Sequence, residues 1–238
     1  MQSLHYIYCM KKTTFVAILL LFTSQCFSTV AFASAEDIES EWAAIYYSTP
    51  KSQQEAAYSA LLAKTEQLLG KNPESTDYMY WKAVILASRA EKQDGFSALK
   101  AISEAKDLLV TAIDKDPKTA NGSAYVVLGT LYHLVPKWPI AFGDNVKAKQ
   151  MFLNALKINP DGIDTNYFYG DYLLANNEVK EAQQHFEKAL FAPSRKNQEF
   201  ADNKLKDEVK LALHNAKNRK VNSGRNAFFA LFNSASLK

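Results

Sequence analysis

The feature that most constrains this chain is a recurring way of ending a helix. Four segments close alike: Leu68-Leu69-Gly70-Lys71-Asn72-Pro73, Ala112-Ile113-Asp114-Lys115-Asp116-Pro117, Ala155-Leu156-Lys157-Ile158-Asn159-Pro160 and Ala189-Leu190-Phe191-Ala192-Pro193. Their prolines are 44, 43 and 33 residues apart. Proline has no amide proton for a helix interior, so each one stops a helix and fixes the turn into the next element. Apolar residues recur at helical period between these stops, and no segment alternates apolar and polar over strand length. The spacing predicts helices near 36–48, 52–70, 75–92, 96–115, 121–135, 144–158, 163–176, 179–191 and 198–220. The fold class is all-α.

Small residues keep a fixed offset within the units. Ala105, Leu109 and Ala112 share a spacing with Ala148, Phe152 and Ala155 and with Ala182, Phe186 and Ala189. Gly129 and Gly170 stand where the first helix of a pair meets the second. Small side chains let paired helices approach, and the large ones between them fill the gap. This pattern resembles the tetratricopeptide repeat over about residues 38–193. The resemblance implies a tetratricopeptide-like helical-hairpin solenoid. A C-terminal capping helix near 198–220 carries Phe200, Leu205, Val209, Ala212, Leu213 and Ala216 on one side.

A narrower resemblance rests on Leu128-Gly129-Thr130-Leu131-Tyr132, Phe142-Gly143-Asp144, Lys147-Ala148 and Phe152-Leu153-Asn154-Ala155-Leu156. It continues through Asn166-Tyr167-Phe168-Tyr169-Gly170 and from Asn203 to Ala216, so it spans about residues 121–217. These residues are similar to the periplasmic T component associated with TRAP transporters. The likeness implies hairpins of the tetratricopeptide kind and work beside a solute-binding receptor for small ligands. Most of the shared residues pack helices, so they speak for fold more than for function.

The N-terminus reads as an address. Lys11 and Lys12 precede an apolar run from Phe15 to Phe22, and small residues follow at Ala31, Ala33 and Ala35. That is the layout of a secretory signal, with cleavage after Ala33 and export to the periplasm. Met10 is as good a start as Met1. Both cysteines, Cys9 and Cys26, lie in this segment, so the exported chain carries no thiol or disulfide chemistry. Lipid attachment at Cys26 is disfavoured, because Gln25 occupies the position before it where a small residue is wanted. The expected domains are a signal peptide at 1–35, a helical domain at 36–221 and a tail at 222–238.

Motifs for catalysis are absent. No glycine-rich phosphate loop or G-x-S-x-G elbow occurs. His133, His185 and His214 fall on separate expected helices, without the converging spacing of metal ligands. The chain is read as a binding protein rather than an enzyme, with no cofactor and no metal. A net charge of +3 argues against nucleic acid.

Binding surfaces are therefore the functional candidates. In a tetratricopeptide unit the first helix of each pair lines the concave face. That places Val126, Thr130 and His133 there from the third unit, and Asp164, Tyr167 and Asp171 from the fourth. The second unit contributes Tyr78, Tyr80 or Trp81. Trp138 and Phe142 sit in a connection between Pro136 and Asp144, where they either fold back on their own hairpin or line a cavity. Residues 195–238 carry 10 Lys and Arg against 4 Asp and Glu. This basic end is either a solvated helix or a docking surface for an acidic partner or anionic lipid, helped by Phe228, Phe229 and Phe232 in the tail. The leading expectation is a scaffold for a protein partner or extended peptide, with weak or no membrane association. The alternative is a small-ligand-binding accessory of a TRAP-type transporter, taking an apolar molecule.

Overall fold

Side chains able to accept backbone amides mark where the helices start. In the computed structural model, which describes residues 34–218, Ser34 opens α1 (Ala35–Ser48) with a capping box. Its hydroxyl accepts from the Asp37 amide, and the Asp37 carboxylate accepts from the Ser34 amide at 2.6 Å. Pro50 precedes α2 (Lys51–Lys71), and Ser75 caps α3 (Thr76–Ala90). The Asp94 carboxylate accepts from the Phe96 and Ser97 amides to start α4 (Gly95–Lys115). A short 3-10 turn (Thr119–Gly122) leads into α5 (Ser123–Leu134). The helix expected from 121 starts two residues later because Ala120, Asn121 and Gly122 take φ of 49°, 52° and 89°. Asp144 caps α6 (Asn145–Ile158) through the Val146 and Lys147 amides. The last three helices are α7 (Ile163–Ala175), α8 (Val179–Phe191) and α9 (Glu199–Lys217). The described residues are all-α. The tail candidates Phe228, Phe229 and Phe232, and the proposed signal segment up to Ala33, lie outside them.

Sequential helices pack most heavily as the pairs α3/α4, α5/α6 and α7/α8. Alanines at the offsets noted in the sequence sit at these seams: Ala105, Ala112, Ala148, Ala155, Ala182 and Ala189 are fully buried. A Cβ on Gly129 would lie 3.1 Å from Met151 Cβ and 3.2 Å from the Ala148 carbonyl. One on Gly170 would lie 2.7 Å from the Phe186 ring, itself fully buried. The odd-numbered helices make a second set of contacts, α1 with α3, α5 with α7 and α7 with α9, while α3 meets the turn before α5. Finally α9 comes back onto α1. Two apolar clusters fill the interior, one from α1 to α5 and one from α5 to α9.

Two glycine substitutions should move stability in opposite directions. Gly170→Ala forces Phe186 out of a filled site and should lower stability by about 1–3 kcal/mol despite the better helix former. Gly70→Ala meets nothing within 4 Å and should raise it by up to about 1 kcal/mol. Urea unfolding of both variants tests the pair. A stabilised Gly170→Ala would contradict the close approach.

Hydrogen bonds from Ser97, side chain and then backbone, hold the Asp94 carboxyl below the ordinary aspartate value of 3.8. A depressed carboxyl stabilises the fold above its unfolded value and loses that contribution as pH falls through the folded one. Asp94→Ala should therefore lower the thermal midpoint at neutral pH. The gap to wild type should close as pH drops below 3.8.

Candidate functional site

The odd-numbered helices line a partly open cavity of about 580 Å³. That is within the roughly 300–1,000 Å³ of sites that hold organic ligands. From α1 it takes Glu36, Glu39, Trp42 and Tyr46, which are three, three and four residues apart and so share one helical face. Tyr80, Trp81 and Val84 come from α3, and Ser123, Val126, Val127 and Thr130 from α5. Asp164 and Phe168 of α7 and Asp202 and Leu205 of α9 complete the wall.

Aromatic rings form one side. The Trp42 indole stacks on Tyr46 at 5.2 Å and lies 6.0 Å from Trp81. Its Nε1–H donates to Ser88 Oγ at 2.9 Å, which fixes the ring plane. Polar groups gather elsewhere. Ser123 donates to Asp164 at 2.5 Å. Burial, with the Asp164 and Glu39 charges nearby, pushes the Tyr80 phenol up and keeps it neutral.

A charged clasp forms one edge of this partly open cavity, where α9 meets α1. The Arg195 amide donates to Asp202 Oδ2 at 2.6 Å, and its Nη2 donates to Asp202 Oδ1 and to Glu39 Oε1, both at 2.7 Å. Gln198 adds a bond to the Glu36 carbonyl, and Phe200 meets Tyr47 edge-on at 6.3 Å. The Asp202 side chain is only 2% exposed. Burial drives the Glu39 carboxyl above the ordinary glutamate range, and the Arg195 charge offsets this only in part. Burial also works against the Arg195 charge, but hydrogen bonds to Asp202 and the charge of Glu39 outweigh it, so the guanidinium is held above its ordinary value.

Of the residues singled out in the sequence, Trp81, Val126, Thr130 and Asp164 line this cavity. Tyr167 does not. It is fully buried, with its ring 5.0 Å from that of Phe168 and 6.1 Å from that of Phe186. Asp171 is also buried and stays off the cavity wall. His133 bonds the Asn145 side chain at 3.0 Å and meets Tyr172 edge-on, away from the cavity. Phe142 folds back on its own hairpin, edge-on to Tyr132 at 5.7 Å, with the Lys106 ammonium 5.1 Å from its ring. Gly143 permits this turn, since a Cβ there would fall 1.9 Å from the Val135 carbonyl oxygen. Trp138, across a cis bond from Pro139, is 85% exposed and neither folds back nor reaches the cavity.

Sequence reasoning passed over Glu39, Trp42 and Tyr46, although their spacing was visible. It also passed over the Arg195–Asp202 clasp, which has no local signal. Among the described residues no group of His, Cys, Asp and Glu is arranged to hold a metal ion. No helix there is long and apolar enough to cross a membrane.

Replacing Arg195 with Met leaves Asp202 nearly buried with only an amide to meet it. The expected cost is about 1–3 kcal/mol, below that of a fully buried pair because Arg195 is half exposed. In a Trp138→Phe background, Trp42 and Trp81 are the remaining indoles. Acrylamide should quench them more readily once Arg195 is gone, and unchanged quenching would separate the clasp from cavity closure. No protein-family model matches the chain, and no curated protein matches its sequence.

Proposed function

We propose that this is an exported, non-catalytic protein of tetratricopeptide-like build that holds a small organic ligand among its odd-numbered helices. The observation that carries the reading is the cavity itself, about 580 Å³, walled by Trp42, Tyr46, Tyr80 and Trp81 and edged by the Arg195 clasp. The paired helices meeting at Gly129 and Gly170 support the tetratricopeptide resemblance, with α9 covering the last pair. The likeness to transporter-associated periplasmic proteins supports a role as an accessory of solute uptake. Export is supported by Lys11, Lys12 and the apolar run before Ala33, with the Ser34 capping box directly after.

A second reading, a scaffold for a protein partner, is favoured by one surface. Trp138, Ile140 and Val146 are 85%, 68% and 69% exposed within nine residues of chain. Exposed apolar side chains clustered in this way mark contact surfaces.

Native mass spectrometry of protein purified from its own periplasm separates the two. The ligand reading expects a co-purifying small mass that persists in Trp138→Ala and is lost in Val127→Trp, whose indole fills the cavity. A bare chain that crosslinks to protein partners, with the crosslinks lost in Trp138→Ala, would reverse the choice. The intact mass should also correspond to a chain beginning at Ser34.

A further inference from the structure

The cavity wall is graded in polarity. On α1 Glu36 and Glu39 come first, then Trp42 and Tyr46; on α3 Asp77 precedes Trp81 and Val84. On α7 Asp164 precedes Phe168, and on α9 Asp202 precedes Leu205, with Glu208 lining the wall beyond it. Among the described residues, seven carboxylates line the cavity against one cation, Arg195, and no lysine lines it. Arg195 is shared by Glu39 and Asp202, while Asp164 accepts from Ser123.

Helix N-termini favour carboxylates, which accounts for Asp77 and Asp164 in the first turns of their helices. It does not account for Glu39. That residue lies beyond the first turn of α1, and burial holds its carboxyl above the usual range in spite of Arg195. The aromatic side adds the same preference by a separate route. Trp42 and Trp81 present ring systems that attract a cation at van der Waals range. An anionic ligand meets repulsion from both walls, and a neutral one strips water from the carboxylates without replacing it.

We infer that the cavity selects an organic ammonium ion, with its nitrogen at Glu39 and Asp164 and its apolar body against Trp42 and Trp81. The inference rests on the cavity being a ligand site, and the test keeps the two apart. The probes are n-octylammonium, 1-octanol and octanoate, below their micellar concentrations. They are titrated against the full exported chain carrying Trp138→Phe, with Trp42 and Trp81 as reporters. Octylammonium should bind tighter than octanol by about ten-fold, and octanoate weakest of the three. Asp164→Asn keeps a hydrogen-bond partner for Ser123 and should erase most of the ammonium preference, weakening octylammonium while octanol, spared the desolvation of a carboxylate, binds at least as well. Asp77→Asn, on an exposed residue at the rim, is the second variant and should weaken the preference without touching the clasp. Equal binding of the three probes, or preference for octanoate, overturns the inference and leaves the ligand reading intact. Binding of none of them overturns both.

Discussion

Close approach between paired helices sets the other distances in this protein. At Gly129 and Gly170 one helix rests against the alanine carbonyls and a phenylalanine ring of the next, tightly at Gly129 and with no room for a methyl group at Gly170. Phe152 and Phe186 are then fully enclosed, and each contributes on the order of 1.5–3 kcal/mol by leaving water. Because the even-numbered helices are pulled in this tightly, the opposite faces of α1, α3, α5, α7 and α9 are left to meet one another. Those faces carry too many large rings and carboxylates to close completely, and the residual space is the cavity.

The clasp and the cavity are electrostatically one system. Asp202 is buried deeply enough to need its partner, and Arg195 satisfies it with both amide and guanidinium. The same guanidinium is shared with Glu39, so neither carboxylate has a full counter-charge. Anything that binds against Glu39 therefore also bears on how firmly α9 is held to α1. Occupancy of the polar end of the cavity would thus be coupled to the seam between α1 and α9 through one side chain.

Much of the architecture was legible because its causes are local. Prolines stop helices, and the small-large-small offset marks the face turned to a partner. Register along α3, α5 and α7 placed Trp81, Val126, Thr130 and Asp164 on the cavity side. It failed for Tyr167 and Asp171 because α7 is buried on nearly all sides, and periodicity has no contrast in such a helix. Trp138 was expected to be covered or to line a cavity, since a large ring in a polar connection costs free energy to expose. The structure leaves it in solvent. The Glu39, Trp42, Tyr46 spacing was readable, but it lay where the repeat pattern is weakest. The Arg195 contact joins residues 156 positions apart, beyond the reach of any pattern confined to neighbours.

That long-range contact also limits what the chain can become. An open stack of helical hairpins tolerates gain or loss of a unit, because each hairpin needs only its neighbours. Here the final helix must return to the first for Asp202 and Glu39 to share one arginine. An added hairpin would carry α9 past its partner, and a deleted one would leave it short. Among the described helices the hairpin count is thereby tied to the contact of α9 with α1, whereas the loop bearing Trp138 takes no part in it.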